Sequence, residues 1–418
     1  SFCPTCRAVS ARCLGRGWGM ILVEVYADNQ LTWADAVPYE RSGGNITPKL
    51  NELSTPFGAA DAQHICFLNE ARMRRSRYEI LHYQTTDYHD DGPPALDQIV
   101  EACRLIEQGL QDKKQVVVYV PEGASHAPHR SFSALCVAAH RILVRGETTA
   151  QAMAPWPSDS SQDSGLSFFM HSWAFRDAPA PPRMLSMEHC LQALEVARDR
   201  GWMDVSSFDA AAYMALWRKF DSSWLVPGEI LVLGDPMSTV VDPDPATASS
   251  LEPEEGAAGR PQVASGTFTG FFRENNVQLL VRLNLTSEPG LRRSYEASVF
   301  TKHGIQCLHA GYDDVGGGVP SRKVLKKVLA KSKEVAGEGQ KAAIAFHCKG
   351  GFGRSVACAC MWLAYKHDLN SQIAFAWSRM ARPGSITTQN QAKLLQGFAG
   401  RDAIEEFLEK SDECCTLS

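Results

Sequence analysis

The stretch "HCKGGFGRS" (347–355) sets one cysteine, Cys348, ahead of Gly350, Gly351 and Gly353, with Arg354 six positions after the cysteine and Ser355 next to it. The apolar run before it, "KAAIAF" (341–346), reads as a buried strand. The run after it, "RSVACACMWLAYKH" (354–367), reads as an apolar helix. Strand, glycine-rich turn and helix together aim main-chain N–H groups at an anion, and the helix start adds partial positive charge. A nucleotide-binding turn of this kind ends in lysine and serine or threonine. Here the first position is a thiol and the last an arginine, which is the pattern expected of a thiol that attacks phosphorus.

The residue types assign the roles. Cys348 is the candidate nucleophile and Arg354 a planar two-pronged donor for phosphoryl oxygens. Ser355 can donate to the Cys348 sulfur as it leaves in a second step, and His347 is expected to orient the loop and help hold the thiolate. Lys349, Gly350, Gly351, Phe352 and Gly353 supply the main chain of a phosphate cradle. A free thiol with a pKa of ~8.5 is only a few per cent ionised at neutral pH, and electropositive surroundings lower such values to ~3.5–7.5. That gain is about thirtyfold, or about 2 kcal/mol. Phosphate monoesters hydrolyse too slowly for this to suffice, so fixed donors around the phosphoryl group must carry most of the rate.

The leaving oxygen needs a proton, and "GYDDVGGGVP" (311–320) offers Asp314, with Asp313 as the alternative acid, on a glycine-rich loop. An acidic surface turn is the competing reading. Further on, "ARPGSITTQNQ" (381–391) brings Asn390 and Gln391, which could position the attacking water or simply start a polar helix. Cys358 and Cys360 read as small core residues rather than redox partners of Cys348.

Other segments must hold these loops. "VQLLVRLN" (277–284) reads as a strand and "VPSRKVLKKVLAKSKEV" (319–335) as a helix with Val324, Leu325, Val328 and Leu329 inward. "WLVPGEILVLGDP" (224–236) reads as two strands turning at Pro227-Gly228. Residues 237–270, rich in Pro, Ala, Ser, Glu and Gly, read as a flexible insertion. In the first half, 95–111 reads as an amphipathic helix with Leu96, Ile99, Val100, Cys103, Leu105 and Ile106 mostly on one face. A strand at 115–120, a helix at 131–144 and another at 184–201 follow. The order strand, loop, apolar helix therefore occurs twice, around 115–145 and 341–367.

The 418 residues allow two domains, and 44% hydrophobic with 21% charged content suits sizeable cores. A formal charge of −5 argues against a general nucleic-acid binder. Thirteen cysteines, an odd number, point to a reducing compartment, nucleus or cytoplasm. Cys3, Cys6 and Cys13 lack a second ligand pair for a zinc ribbon, and neither metal nor cofactor is expected. The first 20 residues are set aside as an unstructured or extraneous extension. At the other end "CTLS" fits a prenylation box, making Cys415 a candidate lipidation site and membrane association conditional on it.

Taken together, "WLVPG" (224–228), "VRLN" (281–284), "YEA" (295–297), "HCKGGFGRS" (347–355) and "RPGSI" (382–386) resemble the mitotic-exit dual-specificity phosphatases of the cell-division-cycle-fourteen type. The resemblance spans roughly residues 75–398. It implies an α/β fold of two tandem dual-specificity-phosphatase-like domains joined by a linker helix, only the second catalytic. The divisions would be a degenerate domain at 21–183, a linker helix region at 184–223, a catalytic domain at 224–398 and a tail at 399–418. In the first half, Arg130-Ser131 mirrors Arg354-Ser355, but Ala124 stands where the nucleophile would be. The resemblance also implies phosphoprotein substrates, with phosphoserine before proline and a nearby basic residue read by an acidic groove. Upstream of Trp224 the acidic residues reduce to Asp209 and Asp221, and Arg218 and Lys219 are added. A phosphoinositide phosphatase would carry a lysine where Phe352 stands. A non-catalytic phosphoprotein-binding scaffold is the other alternative.

Overall fold

The computed structural model describes residues 22–24, 31–37, 39–42, 45–48, 63–68, 79–82, 92–121, 127–156, 168–169, 185–236, 254–255, 261–262, 265–288, 294–314, 318–337 and 339–410. They divide into two units, the first ending at Phe208 and the second starting at Asp209. The first is built on β1 (Leu22–Glu24), β2 (Leu31–Val37), β3 (Gln63–Leu68), β4 (Glu79–His82) and β5 (Val116–Pro121), in the sheet order β1-β2-β5-β3-β4. β1 and β2 are antiparallel and every other neighbouring pair is parallel. A central parallel strand is covered on both faces and so needs an unbroken apolar run; Val116 to Tyr119 are accordingly all buried.

In the same unit, α1 (Leu96–Gln111) buries Leu96, Ile99, Val100, Cys103 and Ile106 as its periodicity requires, with Leu105 half-buried beside them. α2 (Ala127–Leu143) packs against α1 and α3 (Met187–Asp199). The stretch 184–223, expected as one linker helix region, contains two helices that belong to different units. Arg198 on α3 donates to the Ile142 and Glu147 carbonyls, and Arg104 on α1 reaches the carbonyls of Val205 and Phe208. These bonds tie 187–208 to the first unit, which therefore runs past residue 183. α4 (Ala210–Phe220) belongs to the second unit, where Tyr213 donates to the Ala381 carbonyl.

The second unit repeats the sheet. β6 (Ser222–Val226), β7 (Ile230–Leu233), β8 (Val277–Arg282), β9 (Gln306–His309) and β10 (Ala343–His347) lie in the order β6-β7-β10-β8-β9. Again the first pair is antiparallel and the rest are parallel. β10 is the central strand and all five of its residues are buried. Of the 237–270 segment, most lies outside the described residues. Its last residues are helical and begin α5 (Ser265–Glu274), whose Phe268 and Phe272 join the core with Phe220, Leu231, Leu280 and Phe300. α6 (Arg322–Ala336) buries Leu325, Val328 and Leu329 with Val324 half-buried, and α7 (Arg354–His367), α8 (Ser371–Ala381), α9 (Gln389–Leu394) and α10 (Arg401–Glu409) complete the unit. No described helix is long and apolar enough to cross a membrane. The first 20 residues, Ala124 and Cys415 lie outside the described residues.

Parallel strands deliver their carboxyl ends to one edge of a sheet, where ligand sites collect. Here β10 leads to Cys348, β8 to the loop at 283–288 and β9 to the loop at 310–320. Arg382, fully buried, locks the first of these loops in place. Its Nε donates to the Gly351 carbonyl at 2.6 Å, its Nη2 pairs with Asp221 at 2.8 Å, and its guanidinium lies 4.3 Å from the Phe352 ring centroid and 4.7 Å from that of Trp217. Replacing Arg382 by alanine strands Asp221, which is itself largely buried. The expected loss is about 3 kcal/mol or more in urea unfolding. Arg382→Lys recovers only part of it, because an ammonium cannot make the planar fork or the stacking.

Candidate active site

The loop from Cys348 to Gly353 is shaped by what holds its carbonyls. Asp235 N–H donates to the Lys349 carbonyl at 3.1 Å, Arg382 to that of Gly351, and Ile386 N–H to that of Phe352 at 2.7 Å. In a trans peptide the N–H points opposite the C=O. Drawing these carbonyls outward therefore turns the N–H groups of Gly350, Phe352 and Gly353 toward the inside of the loop. Gly351 makes this possible. Its φ is +71°, and a Cβ there would overlap the Leu233 carbonyl at the end of β7.

Inside the loop, Cys348 is 4% exposed and its Sγ lies 3.4 Å from Ser355 Oγ. Arg354, 2% exposed, begins α7, so nucleophile, helix start and guanidinium share one short stretch. Arg354 Nη1 donates to the Tyr312 carbonyl at 2.9 Å, and Asp314 Oδ1 lies 3.5 Å from Arg354 Nε. The geometry thus brings Asp314, still largely exposed, to the arginine. Asp313 is exposed on the same loop. Gln391 is fully buried. Its Nε2 donates to the Gly318 carbonyl at 3.2 Å and its Oε1 accepts from Thr387 N–H at 3.0 Å, so it bridges the acid loop to the segment beneath Gly353. Asn390 is exposed at the start of α9.

One side chain takes a place other than the expected one. His347 does not reach the cradle. It is wholly buried behind it, Nε2 2.7 Å from the Tyr295 hydroxyl and Nδ1 3.3 Å from the Cys348 carbonyl and 3.8 Å from Asp235 Oδ1. Burial lowers its pKa from 6.5 to about 4 despite Asp235. The ring is neutral at pH 7 and lends no charge to a thiolate; it orients the loop. Lys349 is turned to Asp235, 2.9 Å away, and contributes only main chain to the cradle. The Phe352 ring faces Arg382 and Trp217, likewise away from a phosphoryl group. Cys358 and Cys360 are buried thiols held protonated by burial, each pushed up to about 12, and Cys360 donates to Ser378 Oγ.

Glu288 was missed by the sequence reading. It follows β8 and grips Arg354 with both carboxylate oxygens, at 2.6 and 3.2 Å. One acidic residue in the polar run "LTSEPG" (285–290) carries no signal of its own. Asp235 is the other omission. Its Oδ2 collects Lys349, Asn284 and Ser294, which ties the ends of β7 and β8 to the base of the loop. Among the described residues no group of three or more His, Cys, Asp or Glu could hold a metal ion.

Two outcomes follow from this packing. Gly318 has φ +58°, and a Cβ there would overlap Asp314 Oδ1 and come within 3.1 Å of Gln391 Nε2. Gly318→Ala is expected to push Asp314 off Arg354 and lower aryl phosphate turnover by ~10²-fold, with melting lowered by a few degrees for the left-handed backbone, read by steady-state kinetics and calorimetry. The second concerns pH. The folded-state pKa of His347 lies below 6.5, so the unfolded chain binds the proton first as pH falls. Its contribution is complete above pH 6.5 and is lost between 6.5 and about 4, a total on the order of 3 kcal/mol. Urea midpoints between pH 7 and 5 should fall in the wild type and flatten in His347→Gln.

No family model matches the chain. Among curated proteins it is 28% identical over 326 residues to the tyrosine-protein phosphatase cdc-14 of Caenorhabditis elegans, covering 76% of this chain and 41% of that one. It is 27% identical over 328 residues to the dual specificity protein phosphatase CDC14A of Mus musculus, covering 74% and 48%. The human CDC14A is 26% identical over 313 residues, 73% and 46%. The likeness is low in identity but consistent across species, and the chain spans about half the length of the curated relatives it matches. Among solved structures, that of PTPMT1 aligns with TM-score 0.33 at 17% identity, over 46% of this chain and 99% of the other. The kinase associated phosphatase KAP aligns with TM-score 0.32 at 17% identity, over 45% and 97%.

Proposed function

From that relationship and this geometry we propose that the second unit is a cysteine-dependent protein phosphatase acting on phosphoserine, phosphothreonine and phosphotyrosine through a phosphocysteine. The observation that carries the reading is the convergence on one sheet edge of Cys348 beside Ser355, the Arg354 guanidinium and the Asp314 carboxylate. In the first step the Cys348 thiolate attacks phosphorus in line. The S–P bond forms, the bond to the leaving oxygen breaks, and Asp314 gives that oxygen its proton. In the second step Asp314, now ionised, takes a proton from water. The water oxygen attacks phosphorus, the S–P bond breaks, and the Ser355 hydroxyl donates to the departing sulfur. The inward N–H groups of the loop and Arg354 hold the equatorial oxygens throughout. Gln391, next to Gly353 and bonded to the acid loop, stands where it can orient the water.

The substrate class rests on the relationship, with proline after the phosphorylated residue as the expected preference. A following basic residue is not part of this reading. Asp209 is engaged as the N-cap of α4 through Ala212 N–H, and Asp221 is spent on Arg382. Arg218 and Lys219 in the last turn of the same helix add positive charge beside them. A phosphoinositide substrate is less well supported, since the Lys349 ammonium is held by Asp235 and Phe352 brings no cation. We read the first unit as a second copy of the same sheet without a nucleophile. The shared strand order supports this, as does alanine at position 124.

Cys348→Ser is expected to lower turnover of an aryl phosphate by at least ~10³-fold while phosphopeptide binding persists. Asp314→Ala should cost ~10²-fold or more on phosphoserine peptides and far less on p-nitrophenyl phosphate, whose leaving group needs no proton. A loss seen only with Asp313→Ala would transfer the role. Mass spectrometry of quenched turnover that never finds phosphate on Cys348 would overturn the covalent route.

A further inference from the structure

We infer that Glu288 is a positioning residue for Arg354, which ties down one edge of the guanidinium and leaves the other edge for two oxygens of a phosphoryl group. The inference rests on the phosphatase reading above and names a residue that reading does not use. An arginine offers five N–H donors in a rigid plane. Nη1 gives one to Glu288 Oε1 at 2.6 Å and one to the Tyr312 carbonyl at 2.9 Å. Nη2 gives one to Glu288 Oε2 at 3.2 Å. Two N–H groups remain, that of Nε and the second of Nη2. They point the same way, along the edge opposite Nη1, and form the parallel fork that binds two oxygens of one anion.

Among the described residues no hydrogen bond fills that edge. Arg354 Nε is buried and makes no hydrogen bond among the described residues; its ion-pair neighbour there is Asp314 Oδ1 at 3.5 Å. Buried donors are rarely left so, and an unmade bond at a candidate site points to an absent partner. The open fork faces the acid that must reach the leaving oxygen, so an oxyanion seated on it is presented to Asp314. A carboxylate standing in for substrate would occupy this fork. Glu288 occupies the other one, which is why it positions the arginine rather than blocking it.

The surroundings keep Glu288 in that role. Its Oε1 also accepts from Leu285 N–H at 3.0 Å, which fixes the carboxylate to the start of its own loop. Burial pushes its pKa up, but the bonds from Arg354 and Leu285 and the charge of Lys349 outweigh this and hold it below the usual carboxylate value. It therefore stays ionised, and the arginine plane is fixed before any substrate arrives. Without this grip the guanidinium can rotate, and its open edge no longer matches the loop N–H groups.

The experiment measures kcat and KM for p-nitrophenyl phosphate on the full chain bearing Glu288→Ala or Glu288→Gln. It also measures tungstate affinity when the same changes are made in a Cys348→Ser background. Positioning predicts a fall in kcat/KM of ~10- to 100-fold per folded molecule in Glu288→Ala. It also predicts roughly tenfold weaker tungstate binding, with Glu288→Gln intermediate because one acceptor survives. Raised turnover would make Glu288 an intrasteric block and overturn the inference. Unchanged kcat/KM and tungstate affinity with only lowered melting would reduce the pair to a structural contact and also overturn it. If Glu288→Ala does not fold, the glutamine variant gives the same two readouts. An inactive wild type whose Cys348→Ser form still loses tungstate with Glu288→Ala would sink the phosphatase reading and leave the positioning role standing.

Discussion

The outward pull on three carbonyls governs everything at this site. Donors from β7's end, from Arg382 and from Ile386 take the oxygens of Lys349, Gly351 and Phe352. A loop of glycines has no intrinsic reason to point its N–H groups inward, because glycine is conformationally permissive. Only the surrounding fold chooses that orientation. Asp221, Trp217 and Phe352 in turn fix Arg382, so the cradle depends on residues drawn from α4, β6 and the segment after α8. The strain is local and explicit: Ile386, which supplies one of the donors, sits at φ +59°, a cost that β-branched residues accept only where neighbours overdetermine the backbone.

The two sheets share one order of strands and one pattern of directions, although nothing in the residues aligns as a strict repeat. What recurs is the physical requirement: a central strand apolar on both faces, followed by a turn and an apolar helix. In the second unit that framework also carries charged side chains into nearly dry surroundings, Arg354 against Glu288 and Arg382 against Asp221. Buried pairs of this sort contribute little net stability but penalise any rearrangement that separates them. They therefore specify one arrangement of the loops.

Much of this was legible in the residues. β10, the glycine turn and α7 follow from five consecutive apolar-compatible positions, the glycine spacing and an uninterrupted apolar helix, each of which admits few alternatives. Asp314 could be nominated, with Asp313 beside it, because such a site needs an acid and the loop at 311–320 sets two carboxylates before three glycines. What stayed hidden was pairing over distance. Glu288 and Asp235 are single carboxylates in polar turns, and only the adjacency of β8 and β7 to β10 gives them meaning. The orienting role of His347 is legible, but its lack of charge is not, for the same reason. Beside a cysteine it suggests a charged partner, but a position at the end of a central strand buries it and strips its proton. The linker differs for another reason: 184–223 reads as one helix region, but sequence periodicity does not say which core a helix joins, and its two helices join different ones.

Nucleophile and clamp here are fixed to each other by seven consecutive residues. No hinge can part them, so their spacing is a constant of the covalent chain. The proposed proton donor arrives from a separate strand, on a loop held at the site by the Gly318 carbonyl on Gln391, the Tyr312 carbonyl on Arg354 and the Asp314–Arg354 ion pair. On the proposed mechanism, a partner protein or a modification that timed the reaction would act on that third component, whose place is not set by the covalent spacing of the other two.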